Sequence, residues 1–223
     1  MIEFDAADID VRISEVQRYL GYGKNIPDEQ VTDVIKRCIN RLKKETMPRA
    51  AVKYFPITLK KDVVIIEGMH IKSKGLIKNL AGCDEAALFA ATVGDVPDRL
   101  VKRNEIMGKM TEAAVYQASA AALEEAWCDI VDMKIKNEAR KRGLYARPRF
   151  SPGYGDFSLE FQKDFSRILD MPKEVGIMLN DALLMYPSKS VTAVIGLSKV
   201  ERPCVIEGCE SCEMNETCAF SRV

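Results

Sequence analysis

The chain has 223 residues, enough to bury a sizeable core, and its 33 lysines and arginines balance 33 aspartates and glutamates. A formal net charge of zero gives no electrostatic reason to expect nucleic acid or an anionic membrane face, and no run approaches the roughly 18 apolar residues of a spanning helix. The acidic start MIEFDAADID lacks the basic-then-apolar order of a secretion signal, so the expected protein is soluble and cytoplasmic, with no nucleic acid and no membrane among its partners.

Residues 8–20 alternate loosely and then take a helical period, broken at Gly21 and Gly23. Pro27-Asp28-Glu29 opens a helix that places Val31, Val34, Ile35, Cys38, Ile39 and Leu42 on one face, and Met47-Pro48 stops it. From 50 to 80 the text turns β-like, with an apolar run at Val63–Ile66, then His70-Ile71-Lys72, then a short helix capped by Ser73. His70 is the sole histidine, which rules out any multi-histidine constellation and reads as surface or satisfied core. DEAALFAATV, residues 84–93, reads as a buried central strand ending at Gly94.

Pro97 begins a helical region expected to run to about 142. Its alanines (Ala113, Ala114, Ala118, Ala120, Ala121, Ala122) predict close packing, interrupted by Glu124-Glu125, and Gly143 follows the basic turn Arg140-Lys141-Arg142 as a C-terminal cap. Ser158 is placed to cap a helix carrying Phe161, Phe165, Ile168 and Leu169 inward, with Met171-Pro172 as its end. Residues 176–186 and 190–197 read as two strands around Pro187-Ser188-Lys189, an antiparallel hairpin. This order is no regular βαβ repeat; it predicts an α+β fold with an antiparallel or mixed twisted sheet and packed helices.

The stretch Arg147–Asp156, RPRFSPGYGD, concentrates two prolines, two glycines, two arginines and two aromatics. The prolines hold the backbone extended, and Gly153 and Gly155 permit a turn with positive φ. Arg149 offers a rigid fork of donors and Tyr154 a flat face with a hydroxyl. The set suits a small, planar, partly anionic ligand. It suits equally a crossing loop whose arginines pair with nearby carboxylates.

Arg149-Phe-Ser-Pro-Gly-Tyr154, followed by a helix and then Met185-Tyr-Pro-Ser-Lys-Ser-Val191, resembles the activation domain of cobalamin-dependent methionine synthase, as does 87–129 with Thr92-Val-Gly94 ahead of the alanine-rich helix. The resemblance implies one activation-domain-like unit over 1–200, with 84–198 matching the family core and 1–83 divergent, and a separate tail over 201–223. It implies S-adenosylmethionine bound by Arg149 at the methionine moiety, by the turn around Ser151 and Gly153, and by Tyr154 near the adenosyl group or the corrin face. Glu124 is the acidic residue assigned to the long helix, with Glu125 close in register. Asp5, Asp8 and Asp10 are candidates, by location only, for an amino-terminal acidic contact, and Ile195 falls where the family carries an aromatic. The sulfonium, ammonium and carboxylate of S-adenosylmethionine match a carboxylate and a guanidinium at opposite ends of one pocket.

Modules for homocysteine, folate and cobalamin do not fit into the residues before Asp84, and no Asp-x-His-x-x-Gly corrinoid site surrounds His70. The expected role is therefore reductive methylation of cobalamin on a separate corrinoid protein or methyltransferase, with an electron donor such as flavodoxin or ferredoxin. The alternatives are a docking partner of that enzyme that does not bind the methyl donor, or an iron–sulfur electron carrier serving it.

Cys204, Cys209, Cys212 and Cys218 crowd into the last twenty residues, where four thiolates can surround an iron–sulfur cluster or a zinc ion. Disulfides formed after isolation are the metal-free reading. Cys38, Cys83 and Cys128 stand apart in patterned segments and read as small buried hydrophobes.

Overall fold

The computed structural model describes residues 1–23, 25 and 27–201. The four clustered cysteines, and the metal expected of them, lie outside those residues. Among the described residues no group of histidine, cysteine and carboxylate side chains is placed to hold a metal, and no helix is long and apolar enough to cross a membrane.

The amino-terminal part comprises β1 (Ile2–Glu3), α1 (Ile13–Tyr19), α2 (Glu29–Glu45), β2 (Arg49–Leu59), β3 (Val64–Ile66), β4 (Met69–Ile71) and α3 (Lys74–Asn79). Then follow β5 (Glu85–Thr92), α4 (Val96–Ile106), α5 (Met110–Lys141), β6 (Tyr145–Ala146), α6 (Gln162–Leu169), α7 (Met171–Glu174), β7 (Met178–Leu179), β8 (Met185–Tyr186) and β9 (Ser190–Ser198). The main sheet runs β4-β3-β2-β5-β9-β6, with β1 also on β2, and every pairing is antiparallel. The α+β class and the antiparallel sheet are as the sequence predicts.

β5 is the central strand, and its unbroken apolar run has a simple cause. Side chains of successive strand residues point to opposite faces, and both faces are covered. Ala87, Phe89 and Ala91 enter a core with α1, α2 and α5, whereas Ala86, Leu88 and Ala90 enter a second core with β3, β4, α3, α6 and α7. α2 starts where Asp28 Oδ1 accepts from Val31 N at 2.8 Å and buries Ile35, Cys38, Ile39 and Leu42. Cys83 and Cys128 are buried as well, and His70 is exposed on β4.

Three boundaries differ from expectation. The helical region after Pro97 is two helices, because the chain turns at Gly108 with φ +71°, a conformation that favours glycine. α6 ends at Asp170 in the left-handed region (φ 52°), and Met171-Pro172 opens α7 instead of closing a helix; proline fits a first helical turn, where its missing N–H is no loss. Residues 176–186 do not pair with β9. They fold on themselves as the separate ladder β7-β8, closed by Leu184 N donating to Asn180 Oδ1 at 2.9 Å, while β9 takes the slot between β5 and β6.

α5 has 32 residues and lies across β5, β9 and the helices α1, α2 and α4. Its buried Ala113, Ala118, Ala120 and Ala122 allow that close approach, and Trp127, fully buried, donates from Nε1 to the Arg49 carbonyl at 3.1 Å. After Gly143 the chain crosses beside β9: Arg147 N donates to Gly196 O at 2.7 Å, and Phe150 and Val194 exchange two backbone bonds of 2.9 Å. This crossing sets the RPRFSPGYGD stretch against α5.

Candidate ligand cleft at the long helix

Arg149 leaves the crossing segment toward α5 and meets two carboxylates one helical turn apart. Its guanidinium donates to Glu125 Oε2 at 2.7 Å and to Asp129 Oδ1 at 3.0 Å. Residues four apart share a helix face, so Glu125 and Asp129 form a two-point acceptor for one arginine. Around them is a cleft of about 390 Å³, floored by Ala122 and Ala126 and walled by Asp8, Asp10, Arg12 and Glu15 of the amino-terminal segment. Small side chains on the floor leave room for a ligand; the walls are charged.

The expected site residues divide. Arg149 lines the cleft, and the long helix contributes Glu125, not Glu124. Successive helix residues point about 100° apart, and Glu124 points inward: it is 4% exposed, takes a hydrogen bond from Cys128 Sγ at 3.5 Å, and leaves Oε2 without a hydrogen-bond partner. Burial pushes its carboxyl from an ordinary 4.5 up to about 8, opposed by the Cys128 hydrogen bond, the Val93 N–H and the charge of Lys189. Of the amino-terminal candidates, Asp8 and Asp10 reach the cleft. Asp5 does not line it and caps the adjacent short turn, accepting from Ala7 N at 2.9 Å. Ile195 is fully buried in the α5-side core, so that position lines no cleft.

Ser151, Gly153 and Tyr154 follow Arg149 in the chain but do not line the cleft; they form a tight turn. Tyr154 N donates to Ser151 O at 3.1 Å and Gly153 N to Phe157 O at 2.7 Å. Gly153 has φ +90°, a conformation that strains any other residue, and a Cβ there would also press on Leu159 Cδ1 at 3.0 Å. The turn leaves Tyr154 69% exposed, its ring edge-on to Phe150 with centroids 5.5 Å apart. An aromatic so exposed offers an open face for a planar group.

Sequence reading missed what anchors this turn. Asp156 accepts from Ser73 Oγ at 2.5 Å, Lys74 N at 2.6 Å and Gly75 N at 3.1 Å, so the turn is tied to the start of α3. These donors hold the Asp156 carboxyl below its usual range, the Ser73 hydroxyl first among them. Gly75 is required by the same contact, since a Cβ would lie 3.0 Å from Phe150 Cζ and 3.1 Å from Asp156 Oδ1. Asp129 was missed too, though its signal was available: a carboxylate four residues after Glu125.

A crystal structure of the MetH reactivation domain bound to AdoHcy matches the chain with a TM-score of 0.66 and 18% identity, over 90% of this chain and 78% of that one. The chain has the fold of that domain. The match reaches well beyond 84–198, so the fold likeness includes much of the amino-terminal part that the sequence resemblance left out. No family model matches the chain, and no curated protein matches it in sequence.

Proposed function

We propose that the chain binds S-adenosylmethionine in the Arg149 cleft and supports reductive methylation, the reactivation of cobalamin, on a separate corrinoid-dependent methionine synthase or methyltransferase. The observation that carries this reading is the convergence of Arg149, Glu125, Asp8 and Asp10 in one cleft, on a fold whose MetH counterpart is seen bound to AdoHcy.

The charges suit the ligand. Arg149 answers a carboxylate, Glu125 and Asp129 answer an ammonium, and Asp8 and Asp10 can accept from ribose hydroxyls or face the sulfonium. The two ion pairs of Arg149 join partly exposed side chains (27% for Arg149, 39% for Glu125 and 68% for Asp129), and such pairs contribute about 0.2–1 kcal/mol each. Exchanging them for a zwitterionic ligand head therefore costs little. Gly153 and Ser151 shape the neighbouring turn, which lies outside the cleft lining, and Tyr154 offers its exposed aromatic face to a docking corrin.

The partner's corrinoid supplies the methyl acceptor, once reduced by one electron from a donor such as flavodoxin or ferredoxin. There the methyl would leave the sulfonium for the corrinoid, and a neutral thioether would remain. This chain's part is to hold the methyl donor in line for that transfer. Residues 1–200 act here as one activation-domain-like unit, with 201–223 as an appended tail whose Cys204, Cys209, Cys212 and Cys218 are ligands for an iron–sulfur cluster or zinc. Iron, sulfide and zinc analysis of anaerobically purified protein tests that assignment, and metal-free protein contradicts it.

The function is tested with a cobalt(II) corrinoid methyltransferase, reductant and S-adenosylmethionine, followed by ultraviolet–visible spectra with and without this chain. The methylcobalt spectrum is expected only with the wild-type chain present, and much reduced with Arg149→Ala. Methylation that is indifferent to the chain contradicts the role.

A further inference from the structure

The amino-terminal wall of the Arg149 cleft carries a second arginine, Arg12. The chain leading to it is extended, with φ −80° and ψ 124° at Ile9 and φ −72° and ψ 126° at Arg12. Successive side chains of an extended segment alternate in direction. Ile9, Val11 and Ile13 pack on the α5-side core, while Asp8, Asp10 and Arg12 line the cleft. Ile9 and Val16 are fully buried, so the segment is pinned on both sides of Arg12.

Most of the charges in the cleft already have partners. Arg149 holds Glu125 and Asp129, and Glu15 accepts from Arg18 Nη2 at 2.8 Å and from Arg18 Nε at 3.2 Å. Asp8, Asp10 and Arg12 are left, and among the described residues none of their side chains makes a hydrogen bond or an ion pair. Arg12 stands at the N-cap position of α1 without capping it. Two free carboxylates suit a ligand with a sulfonium and an ammonium. A free guanidinium beside them does not, unless it meets that ligand's one anionic group. Arg149 alone answers that group incompletely, because a carboxylate approaching it meets two carboxylates around one guanidinium, a cluster of net negative charge. Arg12 has no such counter-charge in contact.

We propose that Arg12 is a specificity residue of this cleft, donating to the ligand's carboxylate from the amino-terminal wall while Arg149 approaches from the crossing segment. The inference rests on the reading that the cleft takes S-adenosylmethionine, and it adds a selection. Adenosyl sulfoniums that keep the amino-acid carboxylate are favoured over those that have lost it. The order of charge along the wall agrees with this placement: Arg12 is followed by Asp10 and Asp8, as the ligand's carboxylate is followed, after a short aliphatic chain, by its sulfonium. The guanidinium fork can donate twice to a carboxylate, which a lysine cannot do with the same geometry.

The test is calorimetric titration of the full chain with S-adenosylmethionine and with its decarboxylated form, which keeps the sulfonium and the amine and lacks only the carboxylate. Arg12→Gln should lose about tenfold in affinity for S-adenosylmethionine, the scale of one charged hydrogen bond, and change little for the decarboxylated form. Arg12→Lys, which keeps the charge, should recover part of the loss. Arg12 is exposed and caps nothing, and an unchanged melting temperature certifies that the variants fold. If the wild type binds S-adenosylmethionine and Arg12→Gln binds it equally well, the role of Arg12 is overturned and the reading of the cleft stands. Equal loss for both ligands also overturns it, since that moves Arg12 away from the carboxylate. A wild type that binds neither ligand overturns the reading of the cleft, and this inference with it.

Discussion

Glu124 and Glu125 are chemically identical neighbours, and their positions on α5 give them opposite tasks. Glu125 faces water and an arginine; Glu124 faces the core, where ionisation is penalised by desolvation. A carboxyl that stays protonated when folded but ionises when unfolded makes the unfolded state bind fewer protons. Stability then falls as pH rises, by about 1.4 kcal/mol per unit, from about 4.5 to about 8 and is flat above. Glu124→Gln, which needs no proton, should remove that slope. Denaturant unfolding at the two ends of the window checks it, and an unchanged slope would place the proton elsewhere. Asp156 works the other way, since its carboxylate accepts from α3 donors. Asp156→Ala should speed hydrogen exchange at the Lys74, Gly75 and Leu76 amides more than at β5, and uniform protection would show that α3 does not depend on this cap.

Elements whose pattern is local were legible in the sequence. α2 announces itself by Pro27-Asp28 and a single apolar stripe, and α3 by Ser73, whose Oγ accepts from Leu76 N at 3.0 Å. β5 was legible because a strand buried on both faces has no polar positions to blur it. The failures were questions of partner choice. Residues 176–186 carry β-like composition, but nothing in them says whether they pair with β9 or with each other; the Asn180 turn decides locally, and β5 claims β9. Burial on two sides also explains the intolerance of Gly196, where a Cβ would sit 2.6 Å from Leu80 Cδ2 and 2.8 Å from Cys83 Sγ. Gly196→Ala is expected to cost about 1–3 kcal/mol through overpacking, a loss that denaturant titration would detect. A neutral result would mean that α3 can retreat from the sheet.

Across the whole molecule, a chain of zero net charge concentrates carboxylates in one cleft. The Arg149 cleft has the carboxylates Asp8, Asp10, Glu15, Glu125 and Asp129 against Arg12 and Arg149. Composition could not show this segregation, because it arises only when the amino-terminal segment folds against α5. The Arg149 motif was legible as residues; its partner on the helix was legible only as Glu124 or Glu125, because a one-residue shift in helical register moves a side chain from cleft to core. An acidic cleft also favours the cationic methyl donor over its neutral thioether product, so raising the salt should weaken S-adenosylmethionine more than S-adenosylhomocysteine in parallel titrations. Equal salt dependence would deny the carboxylates that role.

Ligand binding in the Arg149 cleft is tested most directly by calorimetric titration of S-adenosylmethionine into the wild type, Arg149→Ala, Glu125→Gln and Glu124→Gln. The wild type and Glu124→Gln should bind alike, while Arg149→Ala and Glu125→Gln each lose about 1.5–3 kcal/mol, the contribution of a hydrogen bond to a charged group. Loss in Glu124→Gln with binding intact in the other two would contradict the cleft described here.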